Sequence, residues 1–197
     1  MLNFDGAAKG NPGPAGFGGA VRNHEGQMLG IFWGDLGYSS NNLAELQGLV
    51  QGLKWATVTG WSPLIVEGDS SLIISMETRL EEGSSTSKIS QNWRWESRIE
   101  ELFSILQAAL VVSFMHVRRK GNIVADAAAN KGVGARISFQ VALPNQVEER
   151  DFFHHCHALA EVDYNSHVRL LSTTTSLVPS SAELGSFPSS TELGSSM

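Results

Sequence analysis

A chain of 197 residues, 42% of them hydrophobic, can bury a real core in one domain and still carry a tail, and no apolar run nears the ~18 residues a membrane span needs. The single cysteine, Cys156, excludes an internal disulfide framework and a multi-cysteine zinc site; with no basic-then-apolar leader at the N-terminus, the expectation is a soluble, intracellular protein. The net charge of -6 argues against a polyanionic partner only until it is divided, because Met1–Lys131 holds 11 basic and 13 acidic residues and the remainder 3 and 7. If four acids of the first part hold cations, the rest of that domain is slightly basic, which permits a nucleic-acid partner.

The chain opens on a short apolar strand, Leu2–Phe4, closed by Asp5. Five glycines and two prolines then crowd 6–18, too many for a helix and suited to tight turns where backbone approaches a ligand. Gly16–Arg22 and Gln27–Gly34 read as two more strands, joined by hairpin-turn residues Asn23, His24, Glu25 and Gly26, so an antiparallel meander is expected. After Asn41 and Asn42, the apolar residues Leu43, Leu46, Leu49, Val50, Leu53 and Trp55 fall near helical spacing. They predict a helix that ends before Gly60 and carries Glu45 in its first turn.

Pro63–Glu67 predicts a buried strand closed by Gly68 and Asp69, and Ser70–Glu82 a second helix. A polar, Ser-rich loop over Gly83–Gln91 leads into Asn92–Ala109, where Trp95, Ile99, Leu102, Phe103 and Leu106 predict a helix beginning near Trp95. Trp93 and Trp95 could stack on bases, but Trp95 fits the apolar face of its helix. Leu110–Val117 predicts a strand, Arg118, Arg119, Lys120 and Gly121 a basic turn, and Ile123–Lys131 an Ala-rich helix that contains Asp126 and stops at Gly132 and Gly134.

Three strands followed by alternating strands and helices predict an α/β fold over 1–134, a mixed sheet flanked by helices. An extension over 135–171 has helical potential at Val147–Leu159. A tail over 172–197, rich in Ser, Thr, Pro and Gly with a near-repeat beginning at Pro179 and Pro188, is expected to be disordered. His154, His155, Cys156 and His157 resemble a metal cluster, but four adjacent residues of a helix cannot all face one ion, so a structural role is expected.

Four acids remain: Asp5 and Asp69 at strand ends, and Glu45 and Asp126 in helices. A lone strand-end acid is ordinarily a solvated cap. Four that converge repel one another unless cations neutralise them, so the set suits hard, oxygen-seeking Mg²⁺ or Mn²⁺. Two such ions roughly 3.5–4 Å apart can activate a water and stabilise the leaving oxygen of an in-line phosphoryl displacement, which is nuclease chemistry.

The stretches Asp5-Gly-Ala-Ala-Lys-Gly-Asn-Pro-Gly-Pro-Ala-Gly-Phe-Gly, Ser40-Asn-Asn-Leu-Ala-Glu-Leu, Val66-Glu-Gly-Asp-Ser and Gly121-Asn-Ile-Val-Ala-Asp stand in the order and approximate spacing of type 1 ribonuclease H. From Leu2 to about Gly134 the chain resembles especially the ribonuclease-H-like domains of plant non-LTR reverse transcriptases and their stand-alone relatives. The resemblance implies a five-stranded mixed sheet in the order 3-2-1-4-5, and metal-dependent endonucleolytic hydrolysis of the RNA strand of an RNA–DNA hybrid, leaving 5′-phosphate and 3′-hydroxyl ends. By position it implies Asp5 as the bridging metal ligand, completed by Glu45, Asp69 and Asp126 around two Mg²⁺ or Mn²⁺ ions. It implies that Asn11, Asn41 and Asn42 touch the RNA strand through 2′-hydroxyls and minor-groove edges, that Ser71 occupies another such position, and that Ser40 helps hold DNA phosphate. Arg118, Arg119 and Lys120, close to Asp126, read as phosphate contacts.

Three features depart from the family pattern. The turn between Val117 and Asp126 is short and contains no histidine, a basic Trp-rich handle is replaced by Gly83–Gln91, and only four residues precede Asp5. The alternative reading is therefore a catalytically weak or inactive nucleic-acid-binding module of the same fold. The expected partner is an RNA–DNA hybrid; no membrane or protein partner is implied, and the chain is expected to be monomeric.

Overall fold

The computed structural model describes residues 1–81, 93–108, 111–145 and 149–160, and the side chains of 77–81 and 93–94 lie outside that description. Strand β1 (Leu2–Ala8) pairs antiparallel with β2 (Gly13–Arg22), from Leu2 opposite Val21 to Ala8 opposite Ala15. β2 pairs antiparallel with β3 (Met28–Ser39) through a turn in which the Asn23 side chain accepts from the Glu25 and Gln27 amides. Helix α1 (Asn41–Thr59) follows, capped by the Ser40 hydroxyl accepting from Leu43 N and ending at Gly60. Then come β4 (Leu64–Gly68), α2 (Ser71–Glu81), α3 (Trp93–Gln107), β5 (Val112–His116), a 3₁₀ turn (Arg119–Gly121), α4 (Ile123–Gly132) and β6 (Gln140–Ala142).

The sheet order is β5-β4-β1-β2-β3-β6, with β4 parallel to both β1 and β5. This is the expected five-strand order with a sixth strand added beside β3. Parallel pairing of β1 with β4, Leu2 opposite Val66 and Asn3 opposite Glu67, sets the middle of β1 beside the C-terminal end of β4, which Asp69 follows.

Alternation along β1 divides the molecule into two cores. Leu2 and Phe4 join Val66, Leu46, Leu49, Leu53, Ile99 and Leu102 in a cluster under α1 and α3, which Trp95 also packs against. Ala20, Ile31 and Trp33 face the other way and meet Val124 and Ala128 of α4. Residues 150–160 are helical, and Phe153, Cys156 and Ala160 complete this second core. Lys131 fastens the extension: its Nζ lies 3.0 Å from Glu149 Oε2 and 4.8 and 4.4 Å from the ring centres of Trp33 and Phe152. Phe153→Ala should therefore cost about 3 kcal/mol of unfolding free energy in urea, whereas a loosely attached extension would show no change.

Two expectations about the glycine-rich stretch require correction. Asp5 does not close its strand but lies at its centre, and only 9–12 form a turn between β1 and β2. The glycines serve packing: a Cβ on Gly6 would meet Glu45 N at 2.1 Å, and one on Gly18 would meet Ala128 C and Ala129 N at 2.5 Å. Bare strand backbone lets α1 and α4 settle directly onto opposite faces of the sheet. The expected loop at Gly83–Gln91 and tail at 172–197 lie outside the described residues, as does Val147 of the extension.

Candidate active site

Asp5 is 3% exposed and lies opposite Gly18 in the ladder, on the face that α4 covers. Its Oδ1 accepts from Gly6 N at 2.7 Å. Burial pushes this carboxyl up to about 8, and Asp69, Asp126 and Glu45 add to the shift while the Gly6 amide opposes it. The three other predicted acids thus lie near enough to bear on its charge, although they come from the residue after β4, from α4 and from α1. Among the described residues no three His, Cys, Asp or Glu side chains stand as a group that could hold a metal ion as placed.

Glu45 is in the second turn of α1 rather than the first, since the helix begins at Asn41 and its first turn contains no acid. Its side chain is buried: it is 7% exposed, its Oε1 accepts from Asn41 Nδ2 at 2.8 Å, and Oε2 is buried without a hydrogen bond. Burial raises the Glu45 carboxyl, the nearby Ser70 hydroxyl opposes the shift, Asp69 adds to it and Arg119 opposes it. Asn11 Oδ1 accepts from Asn41 N at 3.1 Å, tying the β1–β2 turn to the start of α1. Asn42 is exposed beside them and Ser40 is half-buried as the cap, so Asn11, Ser40, Asn41 and Asn42 form one surface next to Glu45.

Asp69 follows β4 as expected, and both of its oxygens are engaged. Oδ2 accepts from Arg119 Nε at 3.3 Å and Oδ1 from Asn122 Nδ2 at 3.5 Å. Ser71 is exposed at the start of α2, and Arg118 and Lys120 are exposed in the basic turn. Asp126 is half-buried, its amide bonded to Asn122 O. His116 Nε2 lies 3.1 Å from Asp69 O, a main-chain contact.

Asn122, the second residue of the Gly121-Asn-Ile-Val-Ala-Asp stretch, is the residue that joins the site together. It is 1% exposed, donates to Phe4 O at 2.9 Å, approaches Asp69 and accepts from the Asp126 amide. One side chain thereby locks the start of α4 to β1 and β4. Its position just before an Ala-rich helix was the available signal; the partner carbonyl, 118 residues away, was not.

The His154–His157 run places no ligand set here. Cys156 is buried in the second core, its thiol pushed up to about 12 by burial against the pull of Lys131 and Arg22, while His154, His155 and His157 are exposed. No helix of the described residues is long and apolar enough to cross a membrane.

A family model described as "Reverse transcriptase-like" matches residues 3–132. A protein of Arabidopsis thaliana named for ribonuclease H is 32% identical over 138 residues, covering 70% of this chain and 21% of the relative. Ribonuclease HI of Halobacterium salinarum is 32% identical over 130 residues, 66% of this chain and 62% of that one. The chain thus spans a fifth of one relative and less than two thirds of the other. The crystal structure of RNase H1 from Halobacterium salinarum superposes with a TM-score of 0.58 at 28% identity, covering 68% of this chain and 96% of that one. LC11-RNase H1, solved in complex with an RNA/DNA hybrid, gives 0.57 at 26% over the same shares. The chain belongs to the reverse transcriptase-like family and has the type 1 ribonuclease H fold.

Proposed function

We propose that the chain hydrolyses the RNA strand of RNA–DNA hybrids with divalent cations, Mg²⁺ or Mn²⁺, held by Asp5, Glu45, Asp69 and Asp126. What carries this reading is one buried aspartate with three acids from separate segments near enough to bear on its charge, within a fold whose similar structures include a ribonuclease H bound to such a hybrid. The donor set fits a hard cation, because it is all carboxylate oxygen, Glu45 Oε2 is buried without a partner, and Asp5 is held towards its neutral form by burial and by its neighbours' charge. When bound, the cations supply Lewis acidity that lowers the pKa of an attacking water and stabilises the leaving oxygen.

The chain's own residues would do the rest. Asp5 is anchored at the centre of β1, paired with Gly18 of β2, and Glu45 is oriented by the Asn41 amide. Asn11, Asn41 and Asn42 offer amide donors and acceptors beside Glu45, suited to 2′-hydroxyls and therefore to an RNA strand. The Ser40 hydroxyl accepts from Leu43 N and keeps its own proton to donate to a DNA phosphate. Ser71 borders the site after Asp69, and Arg118, Arg119 and Lys120 set positive charge near α4, where a phosphate backbone would run.

The test uses end-labelled RNA–DNA, RNA–RNA and DNA–DNA duplexes of one sequence with Mg²⁺ or Mn²⁺. The expected result is cleavage of the RNA strand of the hybrid alone, with 5′-phosphate ends. The second reading is a binding module without turnover, favoured by the engagement of both Asp69 oxygens with Arg119 and Asn122. Hybrid binding that weakens with salt, without cleavage by either metal, would select it.

A further inference from the structure

We infer that Arg119 is the built-in counter-cation of the acid cluster, and that a divalent cation must compete with it for Asp69, so that this guanidinium sets the metal affinity of the site. The inference rests on the proposed metal role of the four acids. The 3₁₀ turn places two donors on Asp69, and they differ in kind. Asn122 is 1% exposed, is also bonded to Phe4 O, and is therefore fixed. Arg119 has a side chain that is 79% exposed, and it holds Oδ2 through Nε at 3.3 Å while Asp69 is only 13% exposed. Oδ2 is thus the oxygen that can be surrendered at the cost of one solvent-facing ion pair, and Oδ1 stays oriented by Asn122.

The charge of Arg119 reaches past its partner. Arg119 also begins the 3₁₀ turn that runs directly into α4, the helix of Asp126. An incoming cation therefore meets competition at Asp69 and repulsion from a guanidinium already held beside it. Exchange of one cation for another leaves the guanidinium free beside the site when a phosphodiester has to be held, which links metal occupancy to phosphate binding through a single residue.

The test is titration of Mn²⁺ into the nucleic-acid-free chain by calorimetry, for wild type, Arg119→Gln, Arg119→Lys and Asp69→Asn. Arg119→Gln should bind Mn²⁺ about three-fold or more tightly than wild type, Arg119→Lys should stay near wild type, and Asp69→Asn should bind more weakly. Thermal denaturation should show Arg119→Gln melting below wild type in EDTA and regaining the difference in Mn²⁺, a pattern that a purely structural role would not produce. Equal or weaker Mn²⁺ binding by folded Arg119→Gln overturns the inference and leaves the metal site standing. Absence of Mn²⁺ binding in wild type and variant alike removes both. Tighter binding by the variant without hybrid cleavage by wild type keeps the inference and removes the proposed nuclease.

Discussion

Asp5→Asn is expected to lower hybrid cleavage by about 10³-fold or more while making the chain more stable in EDTA at pH 8. Loss of activity follows if Asp5 is the acid on which the others converge, since an amide supplies one neutral oxygen where the cation needs a charged donor. The gain in stability follows from the electrostatics. In the folded chain the Asp5 carboxyl is raised from an ordinary 3.8 to about 8, first by burial and then by Asp69, Asp126 and Glu45. Below pH 4 both folded and unfolded chains are protonated there and the contribution to stability is complete. As pH rises towards 8, the unfolded chain gives up its proton first, so this contribution falls away and is lost once the folded pKa is passed. Asparagine carries no such charge. Melting temperatures from pH 5 to 8.5 in EDTA should fall for wild type and stay flatter for Asp5→Asn. Parallel curves, or a variant less stable at pH 8, would mean that Asp5 is not under this strain.

Gly6→Ala is expected to cost about 3 kcal/mol or more, enough to remove much of the stability of a domain of this size. The added Cβ would meet main-chain atoms, Glu45 N at 2.1 Å and Ala44 C at 2.4 Å, and backbone at that point cannot give way unless α1 lifts from β1. The same displacement would carry Glu45 away from Asp5, so any folded fraction should also bind metal more weakly. Gly37→Ala is the natural comparison: Gly37 has φ 69 but nothing within 4 Å of an added Cβ, so it reports backbone strain alone, about 1 kcal/mol. Urea unfolding of the two variants separates steric clash from strain, and equal losses would contradict the packing argument.

Gly6 also marks a limit of local sequence pattern. It belongs to a run whose local chemistry favours turns, yet it lies within β1, where its bare backbone packs against α1. Its neighbours there, Ala44 and Glu45, belong to α1, and no local window around Gly6 contains them. β6 was missed for a related reason. Gln140–Ala142 is too short to show alternation, and it is a strand because the edge of β3 offers Ile31–Trp33 to pair with. The parts governed by periodicity were legible: α1 from Leu43 to Leu53, the buried β4, and the order of strands and helices that brings β1 and β4 together.

The candidate site divides in the same way. Asp5, Glu45, Asp69 and Asp126 could be named because each sits in a recognisable short stretch, and the fold brings the last three into electrostatic contact with the first. What the stretches did not contain is how their members are held. Asn122 bridges to the Phe4 carbonyl, Asn11 to the Asn41 amide, and Arg119 to the Asp69 carboxylate, all contacts between distant segments. Arg119 in particular reads in sequence as one of three equivalent basic residues of a turn. The geometry separates it from Arg118 and Lys120 by turning it onto an acid.

The most direct test of the central claim is the rate of cleavage of a labelled RNA–DNA hybrid as Mg²⁺ or Mn²⁺ is raised from zero, for wild type and Asp5→Asn side by side. The four-acid account predicts saturable, metal-dependent cleavage of the RNA strand by wild type, none in EDTA, and a near-complete loss in a variant that remains folded. Folded wild type that leaves the hybrid intact at every metal concentration, or cleavage that survives Asp5→Asn, would contradict it.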